Sequence, residues 1–320
     1  MAAPKKRGCL GCSLPILVVV SIIVLVLVIG GLLAGGVGQK LFPGLKLPGW
    51  LVVPKPAPSF PATVVFHLFA LPVTNTMIAT WITVIFLVVF SRLVTRRMEL
   101  FPGRLQSILE FTFGWIYDLC ISVAGEENGK KFFPVVCTIF LFVLFNAWMG
   151  LIPGYGSILI HRGGQETELI RAANTDVNTP LALALISFVF VTYHGFRALG
   201  AGWLRQYFDF GGLFRSFGQI FHGKLSIMGI FSGIIQIFVG LIELLSMFIR
   251  IVSFTFRLWG NMTAGEILLL IIAFLFPFAA GWLFYVLELL IGTVQAIIFS
   301  LLTLVFASMA TAVHEEAEHE

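Results

Sequence analysis

The sequence predicts an all-α polytopic membrane protein: about four transmembrane or anchor helices, one interfacial amphipathic helix, and a long, steeply tilted two-helix hairpin at the C-terminus. Three observations carry this prediction. Of 320 residues, 58% are hydrophobic and only 11% are charged, whereas a soluble domain is about a quarter charged. Apolar runs long enough to cross a hydrocarbon core recur along the chain, several of them bounded by Arg or Lys. Residues 225–313 hold two apolar segments, each too long for an upright crossing, joined at Pro277. No alternating ten-residue pattern suggests a membrane barrel. The net charge of +4 sits in helix-end loops, so it reads as topology rather than as affinity for nucleic acid.

Residues 1–38 open with Lys5, Lys6 and Arg7, followed by an apolar run. This is a signal-anchor or a cleavable signal peptide, with Ala34, Gly35 and Gly36 as small residues for cleavage. The length of the run favours an anchor, with its basic end in the cytoplasm. Cys9 and Cys12 form a C-x-x-C that lacks partners for a metal or redox site. Cys120 and Cys137, in apolar segments, read as small buried side chains.

Residues 39–73 form a Pro-rich external segment, stiff and without a core of its own. Residues 74–97 hold the next transmembrane helix, whose Arg92, Arg96 and Arg97 return the chain to the cytoplasm. Basic residues flank both ends of 102–125, which argues against a crossing. Ser107, Glu110, Gly114, Asp118 and Ser122 fall three or four apart, so this segment reads as an amphipathic helix on the cytoplasmic surface. Residues 131–203 form a transmembrane hairpin, Phe132–Ile152 and Pro180–Trp203, around an external loop at 153–178. A Gly- and aromatic-rich loop with Arg205, Arg215 and Lys224 leads into the tilted hairpin at 225–313. The acidic tail 314–320, "HEEAEHE", reads as a solvated end. No internal repeat supports an inverted-repeat transporter.

Leu225 to Phe276 contains no proline and as one helix would be about 75 Å long, against a hydrocarbon thickness of about 30 Å. Its polar residues are in register. Gln236, Glu243, Arg250 and Arg257 repeat every seven residues, drifting about 20° per step. Asn261 adds a turn on the same side, and Glu266 faces another surface. On the partner helix Glu288 and Gln295 share a face. Folding the chain tightly at Pro277 sets Glu266 level with Glu288 and Arg257 level with Gln295.

An arginine in a bilayer costs between about 2.5 and 17 kcal/mol, so such a residue is functional by default. Paired carboxylates in a wet cavity suit proton passage, while an arginine stays protonated and deters a proton from crossing directly. The plainer reading is that these charges pair up and hold the bundle together. Five polar groups in register weigh against it.

These residues also carry a family resemblance. "FRLWGNMTAGE" (256–266), "ELLIGTVQAIIFSLLTLVF" from Glu288 and "DVNTPLALAL" from Asp176 resemble the a subunit family of rotary F-type ATP synthases. The likeness covers about residues 60–313 in order and spacing, and the N-terminal apolar segment lies outside it. The resemblance implies a non-catalytic, proton-translocating stator subunit in a bacterial plasma membrane, with a cytoplasmic C-terminus. Its implied partners are the c-ring, the peripheral-stalk subunit b and the rest of the synthase, and no cofactor or metal is implied.

By the same resemblance Arg257 faces the c-ring carboxylate. Asn261 and Glu266 belong to the outer half-channel, with Asp176 and Asn178 at its mouth. Glu288 stands where some members have histidine, Gln295 lies close to the arginine, and Glu243 belongs to the inner half-channel. Gln236 has no assigned role, and Arg250 is either an anchor for the tilted helix or a ring contact.

Two rival classes are weighed on the residues. A stand-alone proton or cation transporter would contain both walls of its pathway, but the stripe from Gln236 to Arg257 has no complementary acid on the first four spans. An intramembrane hydrolase would need H-E-x-x-H, G-x-S-x-G or paired aspartates, none of which occurs. His67 and His194 accordingly read as packing or interfacial residues.

Overall fold

The computed structural model describes residues 14–42, 62–69, 71–96, 103–152, 158–162, 165–200, 202–203, 227–277 and 281–317, with Pro48, Lys55 and Tyr155 besides. Cys9 and Cys12, the loop with Arg205, Arg215 and Lys224, and the end of the acidic tail lie outside them. Among the described residues there are seven helices: α1 (Leu14–Ala34), α2 (Gly36–Leu41), α3 (Asn75–Thr95), α4 (Arg104–Gly150), α5 (Asn178–Leu199), α6 (Ile227–Leu275) and α7 (Gly281–Ala317). Six of them are long and apolar enough to cross a membrane.

The chain forms two units. One comprises residues 62–261 with 292–320, and the other residues 1–61 with 262–291.

In the larger unit, α3 begins where Thr74 accepts a hydrogen bond from the Met77 amide at 3.4 Å, capping one orphan N–H of the first turn. α4 is two helices merged across a break at Gly125, whose φ of 76° and ψ of 172° suit only a residue without Cβ. The break falls at the end of the amphipathic segment. It leaves carbonyls without intrahelical donors, and Ser308 of α7 donates to the Val123 carbonyl at 3.0 Å. Before the break, Ser107, Glu110, Asp118 and Ser122 are exposed, while Ile116 and Cys120 are buried in the core. After it, Lys130 and Lys131 bridge to Glu126 and Glu127 one turn back.

The core of this unit is aromatic and aliphatic, built from Phe132, Val136, Phe140 and Val143 of α4, Leu183 and Val191 of α5, Phe254 and Leu258 of α6, and Phe299 and Leu304 of α7. Cys120 and Cys137 are buried free thiols in it, as their apolar settings suggest. His194 sits among the rings of Phe132, Phe190 and Tyr193, with centroids 4.7–5.2 Å away, which is a packing role.

Three features depart from the sequence reading. The Pro-rich segment ends in a β-hairpin, β1 (Val64–Leu68) paired antiparallel with β2 (Leu71–Thr74), and His67 lies exposed on it. The loop 153–178 holds a second hairpin, β3 (Leu159–Arg162) with β4 (Gln165–Glu168), and a 3-10 turn at Ala173–Thr175. α5 stops at Leu199 rather than Trp203, because Gly200 takes φ 58° and ends the helix in the left-handed region. Trp203 then folds back onto Gly195, where a Cβ would lie 2.5 Å from its Nε1.

In the smaller unit, α1 is exposed along most of its length. Its last turn and α2 pack against the C-terminal end of α6 at Phe274, Leu275 and Pro277.

Candidate functional site

In the smaller unit the site is built around one glycine. The Glu288 side chain is only 3% exposed, and its carboxylate lies directly against the Gly265 α-carbon, where any Cβ would overlap both oxygens. Glycine is needed here for close approach, not for backbone freedom. Half-buried Glu266 is the next residue, so the two carboxylate-bearing positions occupy the same level, as the spacing about Pro277 implies. Thr263, half a turn before Gly265, has a buried hydroxyl without a partner among the described residues.

In the larger unit, Arg257 of α6 is half-buried. Among the described residues its one hydrogen bond runs 3.5 Å to Ser253 Oγ, a turn back on the same helix, and its guanidinium lies 5.9 Å from the Phe254 ring centroid. No carboxylate of the described residues pairs with it.

Gln295 does not meet Arg257 as the tight-turn geometry implies. Its Oε1 accepts instead from Asn261 Nδ2 at 3.5 Å, one turn further along α6. The physical reason is where the helices end: Asn261 lies 14 residues before the end of α6 at Leu275, and Gln295 lies 14 residues after the start of α7 at Gly281. Gln295 is 6% exposed, and its Nε2 has no partner among the described residues. A buried amide left half-satisfied is costly unless something else occupies the vacant donor.

Asp176 is the centre of a polar nest. Thr76 Oγ1 donates to its Oδ2 at 3.2 Å, and Asn178 Nδ2 donates to both its oxygens at 3.1 and 3.2 Å. Beside it, Trp259 Nε1 donates to the Thr175 carbonyl at 3.1 Å, which ties α6 to the 3-10 turn. Asn146 of α4 donates to Asn174 Oδ1 at 3.1 Å. Both asparagines are fully buried, and Asn174 Nδ2 is unpartnered among the described residues.

The sequence singles out Asp176 and Asn178, which the structure brings together with Thr76; it does not single out Thr76, Asn146, Asn174 or Gly265. Asn146 carried a visible signal, being one amide inside an apolar span. Thr76 and Gly265 become legible only through tertiary contact.

Along the rest of α6, Glu243 and Arg250 are half-buried and Gln236 is exposed. The Arg250 guanidinium lies 3.5 Å over the Phe306 ring of α7, a contact that holds a cation at a fixed point on the hairpin. Around this polar row, Ile234, Phe238, Leu241, Leu245, Phe248, Val252 and Phe256 are between 52% and 62% exposed. Among the described residues no core covers this surface.

The comparisons with known proteins agree on one family. The model of the ATP synthase A chain family matches residues 77–308. The chain is similar to the ATP synthase subunit a of Gloeobacter violaceus, 30% identical over 76% of this chain and 85% of the relative. It is 32% identical to that of Cereibacter sphaeroides, over 72% and 79% of the two chains. It is also 27% identical to that of Moorella thermoacetica, over 78% and 95%. With the match running from α3 into α7, through the arginine, the buried carboxylate and the polar nest, the chain belongs to the ATP synthase A chain family.

Proposed function

We propose that this chain, the stator subunit of proton translocation in an ATP synthase, conducts protons through two offset half-channels kept apart by Arg257. It is an integral protein of a bacterial plasma membrane that works with the rest of the synthase complex. The observation that carries the reading is the state of Arg257: a permanent, half-buried cation on a membrane helix that no carboxylate of the described residues neutralises. A charge so placed needs a counter-charge. The carboxylate of a passing c-ring subunit supplies it, and the exposed apolar face of α6 around the arginine fits the surface of such a ring.

The outer half-channel enters at Asp176 and Asn178, with Asn146 and Asn174 alongside, and continues through Glu266, Glu288, Asn261 and Gln295. Proton passage there needs groups that accept and donate in turn, and the unpartnered amide hydrogens of Asn174 and Gln295 suit a water-filled path. A proton delivered to a ring carboxylate neutralises it, and a neutral group enters lipid at far lower cost than a charged one. After nearly a full turn, release occurs towards the inner half-channel at Glu243. Arg257 attracts the bare carboxylate and, because it never loses its proton, relays none itself. One charge falling through 100 mV releases about 2.3 kcal/mol, so several protons drive each ATP.

Arg250 serves as an anchor of α6 on α7 rather than as a carrier. Gln236 extends the stripe at its cytoplasmic end without an assigned step. The segment before Gly125 lies on the cytoplasmic surface, with its polar stripe exposed, and the C-terminus is cytoplasmic. The chain acts as a non-catalytic subunit of the complex, moving protons without a covalent step of its own.

Sided accessibility tests the two half-channels. In whole complexes, Asp176→Cys and Glu243→Cys are exposed to a membrane-impermeant cationic thiol reagent from either side. The expected result is inhibition of Asp176→Cys from outside only and of Glu243→Cys from inside only. Reaction of both from the same side would overturn the arrangement.

A further inference from the structure

The segment outside the family match is not idle in the structure. α1 ends at Ala34, and the chain turns through Gly35 into α2. Gly31, Ala34 and Gly35 are buried, although α1 is exposed between Ile16 and Ile29. At Gly35 and Gly36 the neighbour is the C-terminal end of α6. A Cβ on Gly35 would overlap the Leu275 carbonyl and come within 2.8 Å of Pro277 Cδ, and a Cβ on Gly36 would overlap the Phe274 ring. Gly30, one turn earlier, has nothing within 4 Å. Small residues that let two backbones approach this closely are a recognised means of joining membrane helices, where lipid supplies no hydrophobic drive between them.

The same small residues, Ala34, Gly35 and Gly36, would serve a signal-peptide cleavage site. Cleavage after Gly36 would remove the contact altogether, and cleavage after Ala34 would leave Gly35 as a new charged N-terminus packed against Leu275 and Pro277, where burial of an unpaired charge is costly. We infer that residues 1–36 are retained, and that the last turn of α1 with Gly35 and Gly36 is a built-in clamp on the C-terminal end of α6. The clamp grips α6 at Phe274 and Leu275, about two and a half turns beyond Gly265 and Glu266, so it braces the carboxylate-bearing end of the hairpin. The inference does not depend on the route of the protons.

The test begins with the intact mass of the subunit from the purified whole complex. The expected mass includes residues 1–36, and a subunit starting near residue 35 or 37 would overturn retention. Contact is read separately, in a background carrying Cys9→Ser and Cys12→Ser. Gly36→Cys with Phe274→Cys should form an intrachain disulfide on mild oxidation, while Gly30→Cys with Phe274→Cys should not. Finally, Gly35→Leu should cause loss of assembled complex from the membrane, while Gly30→Leu leaves its amount unchanged. Failure of the 36–274 pair to cross-link, or equal effects of the two leucines, would overturn the clamp even if the segment were retained.

Discussion

The carboxylate of Glu288 rests against the α-carbon of Gly265, the residue immediately before Glu266. A buried acid is thus set against the residue that precedes a second acid, in the space a methyl group would fill. Gly265→Ala should therefore displace Glu288 or strain the contact by about 1–3 kcal/mol, corresponding to a fall of roughly 5- to 150-fold in rate if all of it reaches the transition state. ATP-driven proton pumping in inverted vesicles measures this. Gly265→Ala combined with Glu288→Asp, which shortens the acid by one methylene, should recover part of the loss. Unchanged pumping in Gly265→Ala would mean that the close approach has no part in proton passage.

Asn261 and Gln295 share a hydrogen bond across α6 and α7. Replacing either should remove one interaction, and replacing both should cost less than the sum. A double-mutant cycle with Asn261→Ala and Gln295→Ala on pumping rate should return a coupling of about 0.5–1.5 kcal/mol. Strict additivity would show that the two amides act apart.

The Arg250 guanidinium over Phe306 is assigned to anchorage, and the assignment separates stability from transport. Arg250→Gln and Phe306→Leu should each destabilise the purified membrane sector by about 0.5–2 kcal/mol, seen as a lower unfolding temperature. Pumping per assembled complex should stay near wild type. Loss of pumping in an assembled, thermally normal Arg250→Gln complex would assign the residue to the ring instead.

Asn146→Leu removes the donor to Asn174 Oδ1 and leaves a buried acceptor unmet, at about 1–3 kcal/mol. Because the two asparagines act as a pair, Asn174→Leu should produce a similar fall in pumping. Asn146→Ser, which keeps a donor, should be milder than Asn146→Leu. A harmless Asn146→Leu would remove this pair from the proton path.

Much of this was legible beforehand, for physical reasons. Helices that must bury their backbone in lipid announce themselves by length and hydropathy, so the spans and the overlong α6 and α7 could be read directly. Charges are so costly in that setting that Arg257, Glu266 and Glu288 stood out without any structure. The polar stripe of the amphipathic segment was visible, whereas the Gly125 break that ends it was not, since an isolated glycine in an apolar helix has many uses.

The two β-hairpins were hidden because strands of four or five residues in loops carry little periodic signal. The Asn261–Gln295 pairing was misjudged by one turn because the residues do not show that α6 stops at Leu275 and α7 starts at Gly281. Thr76 could not be tied to Asp176, 100 residues away, from sequence spacing at all.

The central claim is that Arg257 separates two half-channels. Its most direct test is ATP-driven proton pumping together with passive proton conductance in inverted vesicles carrying the whole complex, wild type against Arg257→Ala. The account predicts loss of pumping with an increased passive leak through the membrane sector, because the counter-charge and the barrier disappear together. Retained pumping, with no added leak, would contradict it and reduce Arg257 to a structural residue.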